Sequence, residues 1–526
     1  MSVRTLFLGM DGSTFTILDE LTKGDRPVMP FMAKIFQKGA RAKLRSTMNP
    51  LTPPAWTTLM TGRTPGNHGL YDFLKSSEVD GELYTELYSA TDCRMETIWS
   101  IASRQGRKIA ALNFPFTAPP PRDLNGVILP GFVPWKHLRR NTHPQDFYTR
   151  LKDGLPDFNP KELAWDFDKE QKAIQHLTDE ERKDWVSYHL PRELQWFNVA
   201  KYVQENEKPD LMAVMFDGTD KLQHQVWRFI DPRLKETDAE DGHFKTMRAL
   251  ALSYFAQLDT HIHDLVEAAG PDTQVFMASD HGFTAQREVV RINSFLKEKG
   301  YLKYKRDAQQ EHESGFIAKI DLDKTTAYCR TPSSNGIHIR VARAPGQTGI
   351  QPDQYENFRS KLIEDMEGLV DDKTGERIIA EVHTREKAFP GEAMESAPDL
   401  LLVLRDFGFV SIKEGSSAVE KLPEIIGTHH PDGVFIACGP GIKAGAMVGS
   451  RNIADVAATL LYSLGLPVPE DFEGVTADNL FTPEHLRKNP VIVIGKTVPP
   501  AHMQVKDMTS DDKDSLMRQL AALGYA

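Results

Sequence analysis

Four separated stretches carry carboxylate and imidazole side chains at spacings that can do chemistry. Asp220 and His224 stand four apart in Asp217-Gly218-Thr219-Asp220-Lys221-Leu222-Gln223-His224. That separation puts both on one helix face and makes half of a metal site, although an exposed Asp/His pair has the same spacing. Asp217 competes with Asp220, but only Asp220 has a histidine four residues on. Ser279-Asp280-His281-Gly282 sets an adjacent Asp and His in a glycine turn, either a plain turn or two ligands for one ion. Asp11-Gly12 ends an apolar run and reads as a turn or as one more carboxylate ligand. Gly427-Thr428-His429-His430-Pro431-Asp432-Gly433 is a loop or the source of another imidazole, from His429 or from His430. Mixed oxygen and nitrogen ligands of this kind suit zinc, with manganese or iron as alternatives. Two such ions about 4 Å apart clamp a phosphoryl group during transfer.

A hydroxyl joins this set. Thr52-Pro53-Pro54 precedes a short apolar segment that stops at Gly62. Proline disfavours helical dihedrals in the residue before it and suits the first helical position, and threonine is a good N-cap. The spacing predicts a helix over 53–61, capped by Thr52 and closed by Gly62. Thr52 then stands at the positive end of a helix dipole, where anions bind. By itself the stretch reads first as an ordinary capped helix.

The elements that must hold these residues are legible as alternating patterns. Short apolar runs at 5–9, 109–114, 211–216, 275–278, 400–404 and 434–438 read as strands covered on both faces. Helical patterns at 32–38, 97–105, 247–269 and 453–464 lie between them. The expected fold is α/β, a doubly wound, mostly parallel central sheet with helices on both faces, and ligands gather at the carboxyl ends of such strands. Two stretches interrupt the alternation. The first follows Pro119-Pro120-Pro121 and is mainly helical in pattern; the second carries a strand pair near 326–341 and a helix at 354–369. Both read as insertions capping the sheet. The expected organisation is a catalytic core in three parts, 1–118, 200–288 and 397–489. A helical insertion at 119–199 and an α+β capping insertion at 289–396 separate them, and a tail at 490–526 ends in a helix capped by Ser510. That helix is a docking element or a homodimer contact.

The totals narrow the partners. Acidic residues exceed basic ones and the net charge is −11, which repels nucleic acid duplexes and anionic membranes. No run approaches the roughly 20 apolar residues of a membrane span. The three cysteines, Cys93, Cys329 and Cys438, show no CxxC spacing and fit a reducing, cytoplasmic setting.

In order and in kind, Asp11, Thr52, Asp220-x-x-x-His224, Asp280-His281 and His429 resemble the alkaline phosphatase superfamily, specifically its type I phosphodiesterase/nucleotide pyrophosphatase branch. The likeness covers about residues 4–116, 210–283 and 397–472, and Thr61-Gly62, Pro65, His68-Gly69 and Asp72 are similar to the family's nucleophile helix and following turn. The resemblance implies that Asp220, His224 and His429 hold one metal, and that Asp11, Asp280 and His281 hold the other, with the Thr52 hydroxyl as a further ligand. His429 is preferred to His430 because the family pattern of Gly, one residue, His, one residue, Pro places the ligand there. Thr52 is then the nucleophile, a phosphothreonine is the intermediate, and a small-molecule phosphate ester is the substrate. Phosphodiester or nucleotide-type substrates are favoured. A phosphomonoesterase or phosphonate monoester hydrolase on the same two-metal site is the alternative.

Two positions depart from the nucleotide pyrophosphatases. Their residue after the nucleophile donates a backbone N–H to the phosphate, and here it is Pro53. They carry an asparagine after the Asp of the later turn, and here Asp72 is followed by Phe73. A sulfatase needs Cys or Ser at the nucleophile, and Thr52 cannot supply the formylglycine. A non-catalytic binding protein on the same fold is expected to have lost ligands, and all six are present. Arg63, Lys221 and Arg291 are candidate cations for a doubly charged phosphate, or surface charges. Trp56, Phe73, Phe116 and Trp227 are candidates for a stacking pocket, or core.

Overall fold

The computed structural model describes residues 3–79, 82–163, 177–234, 242–305 and 319–500. Among the described residues the chain forms two units: those within 3–70, 89–283 and 429–500 make the first, and those within 71–88 and 284–428 the second.

Among the described residues the first unit is built on a nine-stranded sheet. Its order is Ala446–Met447, Ala40–Arg45, Asp432–Cys438, Gln274–Ala278, Thr5–Met10, Leu211–Phe216, Ile109–Leu112 and Gly126–Leu129, with Arg451–Asn452 also on Ala40–Arg45. Pairing is parallel except where Asp432–Cys438 runs against both of its neighbours. Thr5–Met10 sits centrally, with Thr5 opposite Leu211 on one side and Gln274 on the other, and all six of its residues are buried. Side chains alternate across a strand. Phe7, Leu211, Ala213, Met215, Phe276, Ala278, Phe435 and Ala437 therefore share one core with Ala55, Trp56 and Leu59 of the helix Thr52–Thr61. Ile98–Arg104 and Asp455–Ser463 close that face. The helices Pro30–Lys38, Asp179–Asn206 and Gly242–Ala269 pack against strands of the same sheet. The doubly wound, mostly parallel α/β fold is the one the sequence predicts.

The second unit holds a four-stranded antiparallel sheet in the order Ala327–Cys329, Gly336–Ile339, Leu400–Leu404, Ile379–Thr384. Leu362 and Met366 of the helix Tyr355–Glu367 share its core. Asp72 also belongs to this unit, where it accepts hydrogen bonds from the hydroxyls of Thr331 and Ser333 and from the N–H of Phe73.

Several elements differ from expectation for local reasons. Leu400–Leu404 is a strand, but of the second unit's antiparallel sheet rather than the central one. The strand expected over 109–114 stops at Leu112 because Asn113 turns into the left-handed region at φ 64°, which asparagine tolerates. The 119–199 stretch contributes Gly126–Leu129 to the sheet before its helices begin. Ala40–Arg45 was not foreseen; Ala-Arg-Ala-Lys-Leu-Arg does alternate, but its residues have weak strand preference. The tail helix expected from Ser510 lies outside the described residues. Within those residues no helix is long and apolar enough to cross a membrane, and the cysteines are free thiols.

Candidate metal centre

All seven sequence-derived site residues fall in the first unit, at one edge of its sheet. Asp11 follows the carboxyl end of Thr5–Met10, and its N–H donates to Phe216 O of the neighbouring strand. Asp220 and His224 lie on the helix Gly218–Ile230, which starts directly after Leu211–Phe216. Asp280 and His281 follow Gln274–Ala278, and His429 lies just before Asp432–Cys438. The edge is the carboxyl end of the parallel strands, where the antiparallel strand presents its start.

The helix bearing Thr52 begins one residue earlier than predicted. Leu51 is its N-cap, extended at φ −106° and ψ 139°, and Thr52 is its first residue, so Thr52 makes no capping hydrogen bond. Pro53 and Pro54 occupy the next two positions and carry no N–H, so the first intrahelical bond is Ala55 N to Leu51 O. Freed from capping, the Thr52 hydroxyl lies 3.4 Å from His281 Nε2. Gly62 ends the helix in the left-handed region at φ 65°.

His281 and His429 define the centre. His281 Nδ1–H donates to Gly282 O at 3.1 Å, and His429 Nδ1–H donates to Pro50 O at 2.7 Å. Each bond fixes the tautomer, so each Nε2 carries a lone pair. Burial lowers the pKa of both rings and keeps them neutral. The two rings stack with centroids 3.6 Å apart. His281 Nε2 lies 3.3 Å from Asp280 Oδ2, 3.5 Å from Asp11 Oδ1 and 3.9 Å from Asp220 Oδ1. His429 Nε2 lies 3.1 Å from Asp220 Oδ1 and 3.1 Å from His224 Nε2. His224 Nε2 is 3.5 Å from Asp220 Oδ1.

Acceptors thus face acceptors in a water-poor space. Asp11 Oδ1, Asp220 Oδ1 and Asp280 Oδ2 are buried with no hydrogen-bond donor among the described residues. Burial, reinforced by Asp280 and Asp220, holds the Asp11 carboxyl well above its ordinary range. Burial, with Asp220 adding to it, pushes Asp280 up to about 8. Burial also opposes ionisation of Asp220, but the neighbouring His224 outweighs it and pulls that carboxyl well below its usual range. Positive charge among these atoms resolves the conflict, so the donor set fits divalent cations. Two groups have ligand atoms within 4.8 Å of one another: Asp220, His281 and His429, and Asp11, Asp280 and His281. His281 belongs to both, whereas the first was expected to take His224, which stands against His429 at its half-exposed rim.

The alternatives separate cleanly. His430 Nδ1 accepts from Asp432 N. Asp217 is tied to Arg192 and Asn113 instead of the cluster. Trp56 and Trp227 are fully buried core residues, and Trp56 has a second role: its Nε1–H donates to Asp11 Oδ2 at 3.3 Å. Arg63 is paired with Asp471 and Glu473, and Arg291 with Glu420. Lys221, directly after Asp220, is 8 % exposed, with its Nζ 6.0 Å over the Phe132 ring. Supporting contacts that sequence spacing does not signal include Ser46 Oγ to Asp280 O, 2.5 Å, and Gln223 Nε2 to Gly12 O, 2.9 Å.

Comparison with known proteins bears on the fold and the family. Among curated proteins no sequence match was found. Murine ectonucleotide pyrophosphatase/phosphodiesterase 5, solved in an inactive form with AMP, superposes with a TM-score of 0.53 at 13 % identity. The match covers 91 % of this chain and 100 % of that one. The human enzyme of the same name gives 0.52 at 14 %, covering 92 % and 100 %. Phosphonoacetate hydrolase from Sinorhizobium meliloti 1021, solved with phosphonoformate, gives 0.53 at 15 %, covering 88 % and 95 %. These likenesses establish the fold. The family model described as type I phosphodiesterase / nucleotide pyrophosphatase matches residues 5–432. With most of its length inside that match, the chain belongs to the type I phosphodiesterase/nucleotide pyrophosphatase family and is a hydrolase of phosphoric ester bonds.

Proposed function

We propose that the chain is a two-metal phosphohydrolase that cleaves phosphodiester or nucleotide-type esters through a phosphothreonine on Thr52. The observation that carries this reading is the meeting of the Thr52 hydroxyl with the lone pair of His281 Nε2, 3.4 Å away, beside three donor-less carboxylate oxygens. Asp220, His224 and His429 would hold one ion, and Asp11, Asp280 and His281, with Thr52, the other. Zinc is the proposed metal, with manganese or iron as alternatives. When bound, the ions would lower the barrier to ionising the hydroxyl and offset charge on the phosphoryl oxygens.

The chain's own residues do the rest. Thr52 Oγ1 loses its proton and attacks phosphorus; the new P–O bond forms as the ester oxygen departs with the bonding pair. Water then attacks the phosphothreonine; the Thr52 oxygen departs with the bonding pair and takes a proton, and the product is a phosphate monoester from a diester substrate or phosphate from a monoester. Two in-line displacements give retention at phosphorus. Pro53 and Pro54 offer no amide N–H, so the helix start presents only the Thr52 amide to developing charge.

Lys221 favours a second reading. It is the one candidate cation adjoining a ligand residue, and a doubly charged phosphoryl group, as in a monoester or a phosphonate, profits most from it. The test is a panel on the metal-loaded protein: a nitrophenyl monoester, a nitrophenyl-nucleotide diester, a phosphonate monoester and a sulfate ester. Highest kcat/KM on the diester supports the first reading, and on the monoester or phosphonate the second. Turnover of the sulfate ester alone contradicts both.

A further inference from the structure

We propose that Arg192 and Glu193 are positioning residues: from the helix Asp179–Asn206 they latch the start of the helix Gly218–Ile230, setting Asp220 and His224 against the metal cluster. The inference rests on the two-metal reading above.

The latch is a buried, charged contact at the first turn of the ligand helix. Arg192 forms an ion pair with Asp217, the N-cap residue of that helix. Asp217 Oδ1 also accepts from Asn113 Nδ2 at 3.2 Å, and the same amide donates to Met215 O at 2.8 Å. Glu193 Oε1 accepts from Gly218 N, the helix's first amide, at 2.9 Å. The Arg192, Glu193 and Asp217 side chains are each 1 % exposed. A Cβ on Gly218 would sit 2.5 Å from Tyr254 Oη and 2.6 Å from Glu193 Oε1, so only glycine lets the carboxylate reach the amide.

Buried ion groups of this kind add little stability over apolar side chains of equal volume, but they tolerate little displacement, because a charge left without its partner is costly. The consequence is a fixed rotation for the helix. Asp220 lies two residues beyond Gly218, and His224 one turn further. A 20° turn of the helix would move an atom about 6 Å from its axis by roughly 2 Å, far outside the roughly 0.2 Å tolerance of metal–ligand distances. Neither Arg192 nor Glu193 touches the cluster; they act through Asp217 and Gly218.

The test titrates zinc into the full-length, metal-free chain against a competing chromophoric chelator, for wild type, Arg192→Met, Arg192→Lys and Gly218→Ala. Far-UV circular dichroism confirms folding. The expected result is two zinc sites in wild type. In Arg192→Met and Gly218→Ala, affinity falls 10–100-fold at one site, the range for residues that orient ligands, with partial recovery in Arg192→Lys. If Arg192→Met does not fold, Gly218→Ala reads the same contact through one methyl group. Folded variants that bind both ions like wild type overturn the inference alone. A wild-type chain that takes up no zinc overturns the two-metal reading and the inference with it.

Discussion

Replacing Trp56 by phenylalanine separates the aiming of Asp11 from the packing of the core. Trp56 is fully buried, its Nε1–H donates to Asp11 Oδ2 at 3.3 Å, and its ring meets Phe114 edge-on at 5.5 Å. The far edge of the indole fills the space left by Gly9, where a Cβ would lie 2.7 Å from Cη2. Phenylalanine keeps an aromatic ring beside Phe114 but withdraws the donor and leaves a void. A hydrogen bond to a carboxyl whose ionisation burial disfavours is worth about 0.5–1.5 kcal/mol, and the missing ring atoms about 1–2 kcal/mol. The metal-free variant should therefore lose about 1.5–3.5 kcal/mol in urea unfolding. Asp11 also loses the group that fixes its second oxygen, so zinc affinity at its site should fall 10–100-fold. That fall equals about 1.4–2.7 kcal/mol, by which saturating zinc should stabilise the variant less than wild type. Urea unfolding with and without zinc, combined with chelator competition, measures both numbers. A variant that is destabilised yet binds zinc like wild type would show that Trp56 is core only, and would refute its role in aiming Asp11.

Chelation with EDTA should abolish hydrolysis, and zinc or manganese should restore it; activity that survives exhaustive chelation contradicts the two-metal account. His68 is buried, and burial lowers its pKa from 6.5 to about 3. The folded chain therefore binds fewer protons than the unfolded chain below 6.5, so this contribution is intact above 6.5 and shrinks as pH falls towards 3. The loss is about 1.4 kcal/mol per pH unit, or roughly 2 kcal/mol at about pH 5. His68→Asn keeps an acceptor for Leu70 N, which now bonds Nδ1 at 3.1 Å, and should flatten the slope by one proton; an unchanged slope would refute the assignment. Gly62→Ala forces φ 65° on an L side chain and brings its Cβ to 2.6 Å from the Phe472 ring. The left-handed penalty and the overpacking together should cost about 2–5 kcal/mol in urea unfolding, and a loss under about 1 kcal/mol would contradict it.

The candidate site residues are legible in the sequence where geometry is local. Asp220 and His224 declare themselves by four-residue spacing, and Asp280-His281 by standing just past an apolar run. The fold class is legible for the same reason, because strands covered on both faces spell themselves as apolar runs. Thr52 is misplaced by one residue because the Thr-Pro-Pro signal for a cap is also the signal for a first turn with two prolines inside it. Leu400–Leu404 has the same apolar spelling as a central strand, and only pairing partners distant in sequence reveal its other sheet. The latch is not legible at all. Arg192 and Glu193 lie in a long, charge-rich helical pattern, 25 residues from the groups they hold, and nothing local distinguishes them from solvated residues.

Thr52 is proposed to carry the phosphoryl group during turnover. Metal-loaded protein turning over an aryl phosphodiester, quenched in acid and digested, can be read by mass spectrometry of the peptide containing Thr52. The expected adduct is the substrate's phosphoryl group with its remaining ester substituent on Thr52, absent in Thr52→Ala, which should be folded, metal-loaded and inactive. Full turnover by Thr52→Ala would contradict that role.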